Sequence, residues 1–298
     1  MKNSLPSLRL TKSFIFTSGL LCSLFYSICG AADIETKESD VITGAGAHFA
    51  WVIFHDLKEE LEGVTGKQFQ LFGENSNLGM GCNAGIKLAQ QSTHNHQTFG
   101  FVCCPLSQKE LDDKQLKIYT LAEEAIIILV NKDNPIENLS SKQVGDIFSG
   151  EIVNWKDVGG WDKPIVVVTR LHCKKRPGHW KTILPSAESF VEKRLNVSSA
   201  KEMVKLVTSF DTSIGHIGAT WKFGNDSNVK AIKVDNVEAT AANLKNKSYP
   251  YHRMLSAITN MDPTKDVLTA IEQVQRGKSF ESVAKKFNLL PLNTSSSN

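Results

Sequence analysis

The sequence predicts an α/β fold in which mostly parallel sheets carry helices on their faces. Three observations point to it. Strand-like and helix-like segments alternate from residue 40 onward, the order in which a chain lays down parallel strands and the helices that cover them. Two segments, "EEAIIILVN" (123–131) and "KPIVVVTR" (163–170), are continuously apolar at their centres, as strands buried on both faces are. Glycine-rich stretches at 44–47 and 79–85 fall where strand patterns give way to helix patterns. In open α/β sheets that edge is where ligands sit.

Each element has its own reason. "DVITGAGAHF" reads as a short strand entering a glycine-rich loop. In "AWVIFHDLKEELEGVTG", Trp51, Phe54, Leu57 and Leu61 form a helical stripe that ends at glycines. "KQFQLFG" alternates like a strand, and "CNAGIKLAQQ" is a helix entered from "GENSNLGMG". "TFGFVCC" reads as a strand, so Cys103 and Cys104 are expected on opposite faces. "LSSKQVGDIFSG" is a helix with a serine cap and a glycine stop. "SAESFVEKRL" and "SAKEMVKLVTSF" have amphipathic helical spacing, and "TSIGHIGA" is a strand with glycine breaks. "MLSAIT" is a late strand before the helices "DPTKDVLTAIEQVQRG" and "SFESVAKKFN". The tail "LNTSSSN" is polar and predicts disorder.

The first 32 residues differ from the rest. Lys2, Arg9 and Lys12 precede an apolar run from Ser13 to Cys29, and Gly30, Ala31 and Ala32 follow it. That is the layout of a cleaved signal peptide, and the run is short for a membrane anchor. Leu21 and Ile28, ahead of Cys22 and Cys29, do not fit a lipoprotein signal. The formal net charge of +3 falls to 0 without the leader, so nothing general argues for nucleic acid. The expected product is a periplasmic monomer that meets the membrane only through its signal. Of six cysteines, Cys82, Cys103, Cys104 and Cys173 remain. They are too few to staple a scaffold, so packing must supply the core.

No enzyme motif is present: there is no GxSxG, Walker loop or HExxH. Glu123 and Glu124 are adjacent at the expected crossover and read as hinge-surface charges. The sequence implies no catalytic residue and no cofactor.

"LVNKDNPIENLSSKQVGDIFSGEIVNWKDVGGWDKPIVVVTR" (129–170) resembles the second-lobe signature of the phosphate-binding components of phosphate ABC importers. "ITGAGAHF" is similar to that family's first phosphate loop, and "YPYHRMLSAIT" to its return segment. The resemblance covers most of residues 40–290. It implies a type II periplasmic-binding-protein fold whose two lobes close on a ligand. Lobe one would comprise residues 33–123 and 250–298, and lobe two residues 124–249. The implied ligand is phosphate or a related small inorganic oxyanion, and the implied partner an ABC permease or a sensor. The implied ligand residues are Ala47, His48, Phe49, Cys82, Asn83, Cys103 and Arg170. Backbone N–H groups at glycine-rich turns and helix N-termini suit such an anion, and an arginine offers it two parallel donors.

The departures from the family collect at these same positions. His48 stands where the family has a hydroxyl residue, Cys82 and Asn83 where it has serine and glycine, and Cys103 where it has aspartate. "LHCKKRPGHW" replaces a serine-glycine-threonine loop. All four cysteines therefore map near one cleft, with His48, His172 and His179. Three readings stay open: disulfides among Cys82, Cys103, Cys104 and Cys173; a soft-metal site of Cys82, Cys103, Cys173 and His172; and free or redox-active thiols. The basic run Arg170, Lys174, Lys175, Arg176 and Lys181 is either a solvated loop or a positive rim that draws anions inward.

Overall fold

One long strand organises the architecture. The structure, a computed structural model, describes residues 39–73, 81–174, 176, 178–221 and 227–292. The expected leader, most of the 73–81 stretch and the tail beyond 292 lie outside these residues.

The chain opens with β1 (Val41–Gly46), α1 (His48–Asp56), α2 (Lys58–Thr65), β2 (Gln68–Phe72), α3 (Cys82–Gln90), β3 (Gln97–Val102) and α4 (Gln108–Lys114). The long strand β4 (Leu116–Asn131) follows, then β5 (Asn138–Leu139), α5 (Ser141–Ser149), β6 (Val166–Thr169) and β7 (Leu195–Asn196). Next come α6 (Ala200–Ser209), β8 (Ser213–Gly218), β9 (Val229–Val234) and α7 (Ala241–Lys245). β10 (His252–Asn260), α8 (Lys265–Arg276), α9 (Ser279–Phe287) and β11 (Leu290–Pro291) complete it.

The sheet order is β2-β1-β3-β10-β4-β8-β6-β7, with β9 also on β4 and β5 on β9. Parallel ladders build both flanks: β1 with β2 and β3, β6 with β7 and β8, and β5 with β9. Antiparallel ladders join the flanks to β10 and β4. β4 changes partner along its length. Residues Leu116–Ala125 pair with β10, and Ile126–Val130 pair with β8. One strand thus belongs to two wings, which is why its second half reads as an unbroken apolar run.

Two cores flank the sheet. One surrounds Phe54, Phe99 and Phe101, whose ring centroids lie 5.0–5.1 Å apart. The other surrounds Phe148, Trp155, Trp180 and Phe190. In the first wing, α3 lies directly against β3. A Cβ placed on Gly100 would stand 2.1 Å from the carbonyl oxygen of Gly85, and backbone cannot yield there. We expect Gly100→Ala to cost about 1–3 kcal/mol, the usual penalty of overpacking. Chemical denaturation checks it, and a loss below about 0.5 kcal/mol would contradict this packing.

The helix expected over "SAESFVEKRL" is not formed. A single 3₁₀ turn (Ala187–Ser189) leads to β7 instead. Phe190 is buried against Phe148 and Trp180, Val191 N donates to Phe148 O, and Arg194 donates to Phe190 O and Val191 O. Tertiary anchoring overrides the helical spacing. β9, α4, α7 and the first half of β4 carry no strong periodicity and were not expected.

Glu124 is not a surface charge. It is fully buried, and Arg253 Nε donates to its Oε2 at 2.6 Å. The Thr220 N–H also donates to Glu124, at 2.8 Å, as does the Thr220 hydroxyl. The sequence shows two adjacent acids and hides the cation, which comes from β10 beside them. Glu123 is mostly buried as well, with 12% of its side chain exposed, and pairs with His252.

Candidate ligand site

Three helices begin at one cavity. It is lined by Ala47, His48 and Phe49, which are the cap and first residues of α1, and by Gly81 and Cys82, which open α3. Ser199, Ala200 and Lys201 bring the start of α6 to the same place. Cys103, Arg170, His172 and Trp221 close the wall. The volume is about 90 Å³, well below the roughly 300–1,000 Å³ of pockets that take drug-sized ligands. Among the described residues, no carboxylate lines it. Each helix N-terminus presents backbone N–H groups without intrahelical acceptors and the positive end of a dipole. The arrangement suits a small anion.

Arg170 follows β6 directly and faces the cavity. Its Nε donates to Ser198 O at 3.0 Å, which fixes the guanidinium beside the start of α6. Burial, with Arg253 nearby, pulls its pKa below the ordinary value. His48 contributes no cation at neutral pH: burial first, then Arg253 and Arg170, lower its pKa to about 4. It packs edge-on to Trp221 at 4.9 Å. Phe49 is supported from behind by Arg253, whose guanidinium lies 4.0 Å from the ring centroid.

Cys103 and Cys104 do not alternate. β3 ends at Val102, and both cysteines lie in a bend before Pro105. Strand geometry therefore does not separate them: Cys103 lines the cavity, while Cys104, fully buried, stays out of the lining but brings its sulfur beside those of Cys82 and Cys173. Cys82 Sγ lies 3.6 Å from Cys103 Sγ and accepts the Cys103 N–H at 3.2 Å. The sulfurs of Cys82, Cys104 and Cys173 lie within 4.8 Å of one another, and so do the donor atoms of Cys103, Cys104 and His172. All four cysteines are free thiols here, and 3.6 Å is contact, far beyond the roughly 2.05 Å of an S–S bond. Hydrogen bonds from Cys104, then Cys82, push Cys173 down to about 4. Bonds with Cys103 and Cys104 also lower Cys82, while bonds with Cys103, then Cys173 and Cys82, raise Cys104.

The remaining expectations are distributed. Asn83 does not line the cavity. Its Oδ1 accepts from Arg176 Nη1 at 2.8 Å, and Arg176 Nε lies 3.1 Å from Glu110 Oε1. Arg176 is therefore engaged by α3 and α4 rather than standing on a free rim. His179 lies behind the cleft, fully buried, between Arg253 (3.2 Å) and His216 (3.0 Å). Lys175 lies outside the described residues. Ser199, Ala200, Lys201 and Trp221 were not anticipated. The signal for the first three was present: "SAKE" places a serine cap three residues before a glutamate at a helix start.

Two wings joined by long shared strands, with a helix-lined cavity sized for a small ion, define a two-lobed binding-protein architecture. The chain belongs to the PBP superfamily, whose domain matches residues 31–276. Among curated relatives, the phosphate-binding protein PstS of Bacillus subtilis is 28% identical over 141 residues, 47% of this chain and 46% of that protein. PstS of Staphylococcus epidermidis is 30% identical over 159 residues, 50% and 48% respectively. The chain thus spans about half the length of the curated relatives it matches. Among solved structures, a candidate phosphate ABC transporter substrate-binding protein from Clostridium perfringens, with bound phosphate, aligns at TM-score 0.71. It is 25% identical and covers 85% of this chain and 100% of that one. An ABC-type phosphate transport receptor from Vibrio cholerae shares the fold at TM-score 0.62 and 24% identity, over 84% and 99%.

Proposed function

We propose that this chain is an exported solute-binding protein that holds phosphate, or a tetrahedral oxyanion like it, between its lobes for an ABC permease or a sensor. One observation carries the reading: three helix N-termini and Arg170 line a single ion-sized cavity that, among the described residues, holds no carboxylate. The names of the relatives support phosphate as the anion. The signal-like pattern of residues 1–32, a basic start, an apolar run and small residues after it, supports export to the periplasm.

The lobes are residues 33–123 with 250–298, and residues 124–249. The partner change of β4 after Ala125 supports this division, as does the bond from Ile126 N to Tyr251 O at 2.8 Å. Cavity residues come from both sides, so ligand should hold them together.

Thermal shift against phosphate, arsenate and sulfate tests the reading. A ligand at 100 times its Kd stabilises by about 2.7 kcal/mol, so the preferred anion raises Tm in a concentration-dependent way. Solution scattering should show a smaller radius of gyration with saturating phosphate. Identical melting curves with all three anions would sink the proposal, and identical scattering curves would sink lobe closure.

A further inference from the structure

We propose that Cys82, Cys104 and Cys173 form a site for a soft d¹⁰ cation, zinc(II) or copper(I), with His172 and Cys103 as the adjoining donors. This goes beyond the anion reading and does not depend on it. Three sulfurs, each about 2.3 Å from a common metal, stand about 4 Å apart. Those of Cys82, Cys104 and Cys173 already lie within 4.8 Å of one another, so small side-chain adjustments suffice. Their donor chemistry is soft throughout, with no carboxylate in the cluster among the described residues, which selects against magnesium and calcium.

The surroundings are those of a metal cage. Cys82 and Cys104 are buried, with relative exposures of 2% and 0%. Each thiol comes from a separate backbone segment: the first residue of α3, the bend after β3, and the loop after β6, where Cys173 holds a left-handed φ of 53°. His172 is oriented as a ligating imidazole is. Its Nδ1 meets Arg170 O at 3.3 Å, and its own carbonyl accepts Trp180 Nε1 at 2.6 Å. That leaves Nε2 turned toward Cys104 Sγ at 3.5 Å. A backbone carbonyl on the far nitrogen is the usual outer-shell support of a metal-bound histidine. A disulfide explains at most two of the three converging sulfurs, and apolar packing does not call for an aligned imidazole.

Binding is an acid–base step without redox change. The cation replaces the protons that the three thiols still hold, and these are released to solvent. Cys82 and Cys104 belong to the first wing, while His172 and Cys173 belong to the second. A bound cation therefore ties the two together.

The test uses reduced mature protein, titrated with zinc(II) and, without oxygen, with copper(I), each against a chromophoric chelator. One cation per chain is expected, and elemental analysis of the protein isolated without chelator identifies the resident ion. Cys104→Ser and Cys173→Ser should each weaken binding by more than about 100-fold, beyond the 10–100-fold of an outer-shell change. Cobalt(II) in the unaltered protein should give thiolate-to-metal charge-transfer absorption, a readout that survives any folding defect in the variants. The proposal is overturned if the chelator retains both metals while four thiols titrate as free. It is equally overturned if both serine variants bind like the parent, if cobalt(II) gives no thiolate band, or if the native protein holds these cysteines as disulfides.

Discussion

Replacing Glu124 by alanine is expected to cost about 3–5 kcal/mol of folding stability, the penalty for breaking a buried ion pair from one side. Arg253 would remain with a buried guanidinium facing no carboxylate. Burial alone would depress Arg253, but the Glu124 charge outweighs it and raises the group above its ordinary value. The neighbourhood cannot adapt easily. A Cβ on Gly218 would stand 2.3 Å from Arg253 Nη2 and 2.5 Å from Glu124 Oε1, so the strand already touches the pair. The pair also links β4 to β10 at the point where the two wings meet, and Arg253 underlies Phe49 in the cavity wall. Urea unfolding measures the loss. A change under 1 kcal/mol would show that the pair is solvated or replaceable.

Arg170→Ala is expected to weaken phosphate binding by about 2–5 kcal/mol, roughly 30- to 4,000-fold in Kd. Among the described residues, only Nε of this guanidinium is hydrogen-bonded within the protein, to Ser198 O. The terminal nitrogens are left to meet the ligand. Because that contact pre-orients the group, the effect should exceed what a mobile surface cation gives. Calorimetric titration of the folded variant checks it, and unchanged affinity would remove Arg170 from the site.

Much of this molecule was legible in its sequence. Helices with serine caps and glycine stops, such as α5, and the apolar centres of β4 and β6 were readable because local physics fixes them. Ala47, His48, Phe49, Cys82, Cys103 and Arg170 were placed by resemblance, and the cavity brings all six together. What could not be read depends on distant partners. Glu124 looked exposed because Arg253 lies 129 positions away. "SAESFVEKRL" looked helical because the burial of Phe190 against another element is invisible locally. The two cysteines of "FVCCP" looked opposed because one-residue precision in the end of a strand decides whether alternation applies, and sequence patterns do not reach that precision.

The central claim is that three helix N-termini and Arg170 hold a tetrahedral anion. Equilibrium dialysis of unfolded, stripped and refolded mature protein against radiolabelled phosphate tests it most directly. One phosphate per chain is the predicted result, displaced by unlabelled phosphate and largely lost in Arg170→Ala. Folded protein that retains no label at any phosphate concentration would contradict it.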